Sequence, residues 1–171
     1  SRIQESILES PVTIEKMDII AIRQTATPDF YDALANMKGV HVNKGSLTFS
    51  SINTRGFATN ANTRFVQLID GMDNSAPLLN FPTGNLVGIH ALDLESVELV
   101  PGAASALYGP NAFNGILFMN SKSPFDYEGL SAQVKTGITT SEAQGESFPM
   151  YEAAVRYAKS FNNKLAVKVN F

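Results

Sequence analysis

The 171-residue chain has no cysteine, only two histidines and no apolar run of helical-membrane length. Without thiols there are no disulfides and no thiolate metal sites. A helical span needs roughly 20 consecutive apolar residues, and no basic-then-apolar leader opens the chain, so Ser1 is expected to be an internal start. Thirteen basic residues against sixteen acidic ones give a net charge of −3, and they never cluster into a basic surface. A nucleic-acid partner is therefore not expected.

Catalytic signatures are missing as well. There is no GxSxG, HExxH or GxGxxG, and Lys44-Gly45-Ser46 runs in the reverse order of a phosphate loop. His41 and His90 have no ligand-spaced partner and read as structural or surface residues. Asp70 to Asn74 brings oxygens together without the spacing of a calcium loop, so it reads as a turn. No enzyme activity, cofactor or metal is expected.

What is present is a sequence of short elements. Pro11 to Met17 alternates weakly as a first strand. Thr27-Pro28-Asp29, ahead of Phe30, Leu34 and Met37, predicts a helix over Pro28 to Lys38, with Thr27 as its cap and Gly39 at its end. Short β-prone runs follow, and Phe65 to Ile69 ends in Asp70-Gly71, a hairpin dipeptide. Two longer loops, Ala58 to Arg64 and Met72 to Asn85, have the length of functional loops. Leu94 to Val100 alternates as a strand, Ala103 to Tyr108 suits about a turn and a half of helix before Gly109-Pro110, and Gly115 to Met119 reads as a strand buried on both faces.

The character changes near Pro124. Leu130 to Ile138, Tyr151 to Phe161 and Leu165 to Phe171 each alternate, with apolar residues on one face and polar or small ones on the other. A long polar loop, Thr139 to Pro149, joins the first two, and the two-residue turn Asn162-Asn163 joins the last. This pattern suits an outer-membrane barrel, and by periodicity alone it suits a soluble sandwich equally well. Three strands cannot close a barrel, so the barrel reading implies a fragment with an open strand edge.

Arg55, at a strand end beside Gly56 and Phe57, offers a planar five-donor fork that fits either a carboxylate clamp or a solvated strand end. Glu95 and Glu98, three apart on a strand, are expected on opposite faces.

Several linked motifs occur in order: Arg55-Gly56-Phe57, Leu68-Ile69-Asp70-Gly71, Leu94 to Gly102 (LESVELVPG), Ser105-Ala106-Leu107-Tyr108-Gly109, Asn114-Gly115-Ile116-Leu117 and Ser121-Lys122. In order and spacing they resemble the plug domain of TonB-dependent outer-membrane receptors, over roughly Ile7 to Pro124. The resemblance implies an α+β plug, a mixed β-sheet with short helices over residues 1–127, followed over residues 128–171 by the first antiparallel strands of a truncated transmembrane barrel.

It also implies a role as the gate of a receptor that imports a scarce nutrient, such as a siderophore, cobalamin, a glycan or a peptide. The implied partner is TonB, bound through a segment upstream. Arg55, Gly56, Glu95 and Glu98 would latch plug to barrel, and Asn60, Asn62, Asn74, Asn80 and Phe81 would contact substrate from apical loops. Asp70, Gly71, Gly102, Tyr108, Gly109, Asn114 and Gly115 would be structural.

The chain departs from the family pattern in three places. Pro101 stands where an arginine is usual, Ala103 where a proline is usual, and Asn114 replaces the first of two glycines and is expected to adopt positive φ in its place. The alternative is a soluble β-rich ligand-binding or adhesin module carrying plug-like motifs. For the isolated chain, the open strand edge predicts that Leu130 to Phe171 pair with another copy, fold onto the plug or stay disordered.

Overall fold

A computed structural model describes residues 14–24, 29–46, 49–56, 62–102, 108–141 and 146–171. They divide into two compact units, Ser1–Ser121 and Lys122–Phe171.

In the first unit, β1 (Glu15–Asp18) leads into α1 (Ile19–Gln24), α2 (Phe30–Ala33) and a 3₁₀ turn (Leu34–Asn36). The strands β2 (Val40–Lys44), β3 (Ser50–Thr54), β4 (Phe65–Ile69), β5 (Met72–Asp73), β6 (Leu94–Pro101) and β7 (Gly115–Ser121) follow. Five strands form one sheet in the order β1-β6-β7-β4-β5, while β2 and β3 pair separately. Every pair is antiparallel except β4 with β7. A parallel pair needs a long crossover. The chain supplies it between β4 and β7 as β5, the loop of residues 74–93 and β6.

Of the expected first strand, Glu15 to Met17 lie in β1, which runs on to Asp18 in register with β6, from Glu15 opposite Leu99 to Asp18 opposite Ser96. Residues Pro11 to Thr13 lie outside the described residues. The predicted single helix is instead one α turn followed by a 3₁₀ turn, and its cap is Asp29. Asp29 has extended backbone, φ −121° and ψ 142°, and its side chain accepts from Tyr31 N at 3.1 Å. An aspartate can cap a helix with one oxygen and keep the second for another partner. Asp29 does so, since its Oδ2 accepts from Asn85 Nδ2. Thr27 and Pro28 lie outside the described residues.

The core sits on both faces of the main sheet. On one face Leu94, Val97, Leu99, Leu117, Met119 and Phe65 pack with Phe30, Tyr31, Leu34 and Ile52. On the other, Val66, Ile116 and Ala112 cluster with Leu68 and Phe118. The run Gly115 to Met119 thus serves both faces as its unbroken apolarity predicts, and each large side chain so buried contributes about 1.5–3 kcal/mol.

Strict alternation fails at one place in β6. The pairing with β7 shifts between Leu94 and Ser96. This extra residue lets Leu94 join Val97 and Leu99 in the same core although it stands three positions before Val97. The expectation that Glu95 and Glu98 face opposite sides rested on unbroken alternation, so it does not carry across this shift.

The long loop is fastened at its root. Tyr31 Oη and Gln67 Nε2 both donate to the Gly84 carbonyl, at 2.8 and 3.0 Å, and Asn85 Oδ1 accepts from Ser50 N at 2.8 Å. Gly84 is required there, because a Cβ would lie 2.2 Å from the Ser50 carbonyl oxygen.

In the second unit, β8 (Gly129–Ser141), β9 (Glu146–Phe161) and β10 (Leu165–Asn170) form an antiparallel sheet in the order β10-β9-β8. The β9–β10 connection has three residues where two were expected: Phe161 pairs with Leu165, Asn162 and Asn163 turn the chain at φ 52° and 51°, and Lys164 N donates to the Phe161 carbonyl at 3.1 Å. The apolar face is the exposed one: Leu130, Val134, Ile138, Tyr151 and Leu165 are all more than half exposed, whereas Ala154, Arg156 and Ala158 are buried. Arg156 donates to the carbonyls of Tyr127 at 2.8 Å and Lys122 at 3.3 Å, and Lys168 Nζ reaches the same Lys122 carbonyl at 3.3 Å.

Burial, then the nearby Asp29 charge, pushes the Tyr31 hydroxyl well above its ordinary value of 10.0. The unfolded tyrosine ionises near pH 10 and the folded one only above that. The unfolded state therefore binds fewer protons in between, and stability falls as pH rises through that window. The expected slope is about 1.4 kcal/mol per pH unit in urea denaturation, absent in Tyr31→Phe, where Gln67 still satisfies the Gly84 carbonyl.

Candidate latch and apical loop

At the end of β3 the chain turns through two left-handed residues, Arg55 at φ 55° and Gly56 at φ 77°. Arg55 N donates to the Gly39 carbonyl at 3.0 Å, which fixes where the side chain starts. The guanidinium then lies over Gly102, just past β6. A Cβ on Gly102 would stand 2.6 Å from Arg55 Nη1 and 2.8 Å from Cζ. Gly102, itself at φ 97°, is thus the seat of the arginine.

Beneath this seat is a buried polar hub. Asn114 Oδ1 accepts from Thr54 N at 2.9 Å and from Asn62 Nδ2 at 3.2 Å, while Asn114 Nδ2 donates to the Thr54 carbonyl at 3.1 Å. The backbone of Asn114 joins in: its N–H donates to the Arg64 carbonyl at 2.7 Å, and its carbonyl accepts from Gly102 N at 3.1 Å and from Thr54 Oγ1. Thr54, Asn62 and Asn114 are at most 6% exposed. One residue, through its side chain and its backbone together, thereby joins the end of β3, residues 62–64, the end of β6 and the start of β7.

Two expectations are corrected here. Asn114 is not among the positive-φ residues. It replaces a glycine by bonding across the junction, not by imitating glycine's backbone. Asn62, expected in an apical substrate loop, is buried in this hub and bonds to the Ile52 carbonyl as well. Its amide is committed to the fold.

The other predicted residues are dispersed. Glu98 forms an ion pair with Lys16 at 3.2 Å, along the β1–β6 edge, and Glu95 is exposed at the shift in register. Asp70 and Gly71 make the β4–β5 hairpin turn, at φ 50° and 83°. The Asp70 carboxylate also accepts from Ser121 N at 2.8 Å and Ser121 Oγ at 2.6 Å, pinning the end of β7. Tyr108 stacks edge-on with Phe118 at 5.4 Å, the Gly109 carbonyl accepts from Ala112 N, and Gly115 opens β7 opposite Pro101. The structure thus brings Arg55, Gly56, Gly102, Asn114 and Gly115 together.

In the apical loop, Asn74 Nδ2 donates to the Val87 carbonyl at 2.7 Å, and Asn80, at φ 51°, accepts from Asn111 Nδ2 at 2.9 Å. Phe81 is half-buried, and its carbonyl accepts from Ala76 N. These residues brace the loop, while Leu78, Leu79, Leu86 and Val87 project from it. Asn60 lies outside the described residues, as does most of the predicted Ala103 to Tyr108 helix. Sequence reading missed Thr54 and Asn62 as hub residues, which no local pattern marks, whereas the Leu78-Leu79 pair of the Met72 to Asn85 loop is exposed as its Asn- and Pro-rich setting suggests.

The TonB-dependent Receptor Plug Domain family matches residues 6–116, and the chain belongs to that family. No curated protein matches it. Among solved structures, the siderophore receptor PirA from Acinetobacter baumannii aligns with a TM-score of 0.69 at 17% identity, over 96% of this chain and 24% of that one. The ferric enterobactin receptor PfeA from Pseudomonas aeruginosa, as a mutant with enterobactin bound, gives 0.66 at 16% identity, over 95% and 24%. The ferric yersiniabactin uptake receptor FyuA from Yersinia pestis gives 0.61 at 18% identity, over 93% and 24%. The chain therefore spans about a quarter of the length of these receptors and shares their fold over nearly all of its own.

Replacing Asn114 by alanine is expected to leave Thr54 N–H and the Asn62 amide without their shared acceptor. The loss should be about 1–3 kcal/mol for each buried group left unpaired, read as a lower urea midpoint. Asn114→Gly should not rescue it, since glycine also lacks the amide.

Proposed function

We propose that residues 1–127 form the plug, and residues 128–171 the first barrel strands, of an outer-membrane receptor that imports a scarce nutrient by TonB-coupled transport. The observation that carries this reading is the inverted second unit, with Leu130, Val134, Ile138, Tyr151 and Leu165 turned to solvent and Arg156 buried on the opposite face. A soluble sandwich packs its apolar face inward. Lipid-facing strands around a polar lumen need the reverse order, and so this unit favours the barrel over the soluble module. Membership of the plug family supports the same reading.

On this reading the plug fills the barrel lumen with its lower side open to the periplasm, and the chemistry is gating. No bond in the substrate is made or broken. Substrate arrives from outside at the apical loops, and Arg55, held rigid over Gly102, serves as a latch to the barrel wall, with Gly56, Glu95 and Glu98 as further candidates. TonB engages a segment upstream and draws part of the plug aside.

Polar plug–wall contacts suit such displacement, because they exchange with water, whereas each large apolar side chain exposed would add about 1.5–3 kcal/mol. The nutrient is of the class carried by such receptors: siderophore, cobalamin, glycan or peptide. For the isolated chain, the open edges of β8 and β10 and the exposed apolar face favour self-association.

Expression of the full-length parent protein and fractionation of the envelope test the proposal. The expected product is an outer-membrane species whose electrophoretic migration shifts on heating and which captures TonB. A soluble product with neither property would return the chain to the binding-module reading.

A further inference from the structure

Resting on the receptor reading, we propose that the apical loop recognises the apolar side chains of a neutral or cationic peptide, with Leu78 as the specificity-determining contact. The loop tip is a small closed hairpin. Ser75 and Pro82 bridge its base, Ala76 N donates to the Phe81 carbonyl at 2.9 Å, and Asn80 N donates to the Ala76 carbonyl at 3.1 Å. Asn111 braces one flank through Asn80, and Thr83 braces the other, its N–H and hydroxyl both donating to the Asn74 carbonyl at 3.1 Å. On this scaffold Leu78 sits at φ 72°, a backbone region that bulky residues rarely occupy, and is 104% exposed, with Leu79 beside it at 63%. A tip tied down on both flanks thus holds a strained leucine fully in water, so its side chain is pre-positioned for an apolar partner.

The chemistry around the tip selects among ligand classes. From Met72 to His90 there is no lysine or arginine and one acidic residue, Asp73. A negatively charged iron chelate would find no cation to pair with there. Glycan sites commonly stack sugar rings on Trp, Tyr or Phe faces, yet the whole chain lacks tryptophan and the single such ring of this stretch, Phe81, is half-buried. Leucines, asparagine amides and one carboxylate instead match a peptide, whose side chains meet Leu78 and Leu79 while any positive charge meets Asp73. A second apolar pair at the loop root, Leu86 and Val87, is 57% and 63% exposed.

The test uses the full-length receptor in outer-membrane vesicles, incubated separately with a tryptic digest of a milk protein, a ferric tris-catecholate complex and a linear oligosaccharide. Retained material is measured by mass spectrometry. The expected result is retention of peptides rich in Leu, Ile, Val and Phe, at least tenfold reduced in the Leu78→Asp/Leu79→Asp variant. Leu78→Gly, which removes the side chain while relieving the backbone, should also reduce retention several-fold. Heat-shifted migration and TonB capture should be unchanged in both variants.

A receptor that shows both properties but retains the chelate or the oligosaccharide in preference, retains no apolar peptide, or binds peptides equally well in the variants overturns the peptide assignment alone. A wild-type product with neither property overturns the receptor reading and this inference with it.

Discussion

The first unit depends on one amide. Asn114, through its side chain and backbone, meets four chain segments where the sheet, the short β2–β3 ribbon and the residues before β4 come together. A buried amide has two donors and an acceptor with two lone pairs, and here nearly all of that capacity is used. In a low-dielectric interior such a network is worth most when complete and costs most when broken. The same junction sets the floor on which Gly102 lies, and through Gly102 it sets the course of the Arg55 side chain. The exposed cation thus takes its direction from Asn114 through two neighbours, Thr54 before it in the chain and Gly102 beneath it.

Much of this was legible in the residues. The Asp70-Gly71 dipeptide announced a hairpin because both positions tolerate left-handed backbone, and the run Gly115 to Met119 announced a strand packed on two sides because no polar residue interrupts it. The plug fold followed from linked motifs. Other features were hidden for physical reasons. A helix cap is chosen by competition among neighbouring oxygens, and Asp29 prevailed through a partner, Asn85, that lies far along the chain. The shift in register in β6 is invisible to an alternation count, which is why Glu95 and Glu98 were assigned by a rule that the strand breaks between Leu94 and Ser96. Asn62 looked like a loop amide, and only the three-dimensional junction shows that its donors are already spent.

The two units follow opposite solvent logic within one chain. The first buries its apolar residues on both faces of a sheet and keeps polar groups at junctions. The second exposes apolar residues on one face and gathers Arg156, Lys168, Lys135 and Glu152 on or beside the other, where Lys135 and Glu152 pair at 3.2 Å. Composition averages over these halves and conceals both, since a mean hydropathy near zero describes neither. Only the period and phase of the pattern, read strand by strand, separate them.

The main sheet is also mechanically lopsided. At one edge β1 holds on by four residue pairs, all along a single neighbour. At the other end of the chain path the last residue of β7 is gripped by both oxygens of Asp70, and β7 itself is clamped between β4 and β6. Any load carried along β1 reaches the sheet through those four pairs, the Lys16–Glu98 ion pair and the Glu15 carboxylate on Lys38 N, whereas β6, β7 and β4 each have a bonded neighbour on both sides.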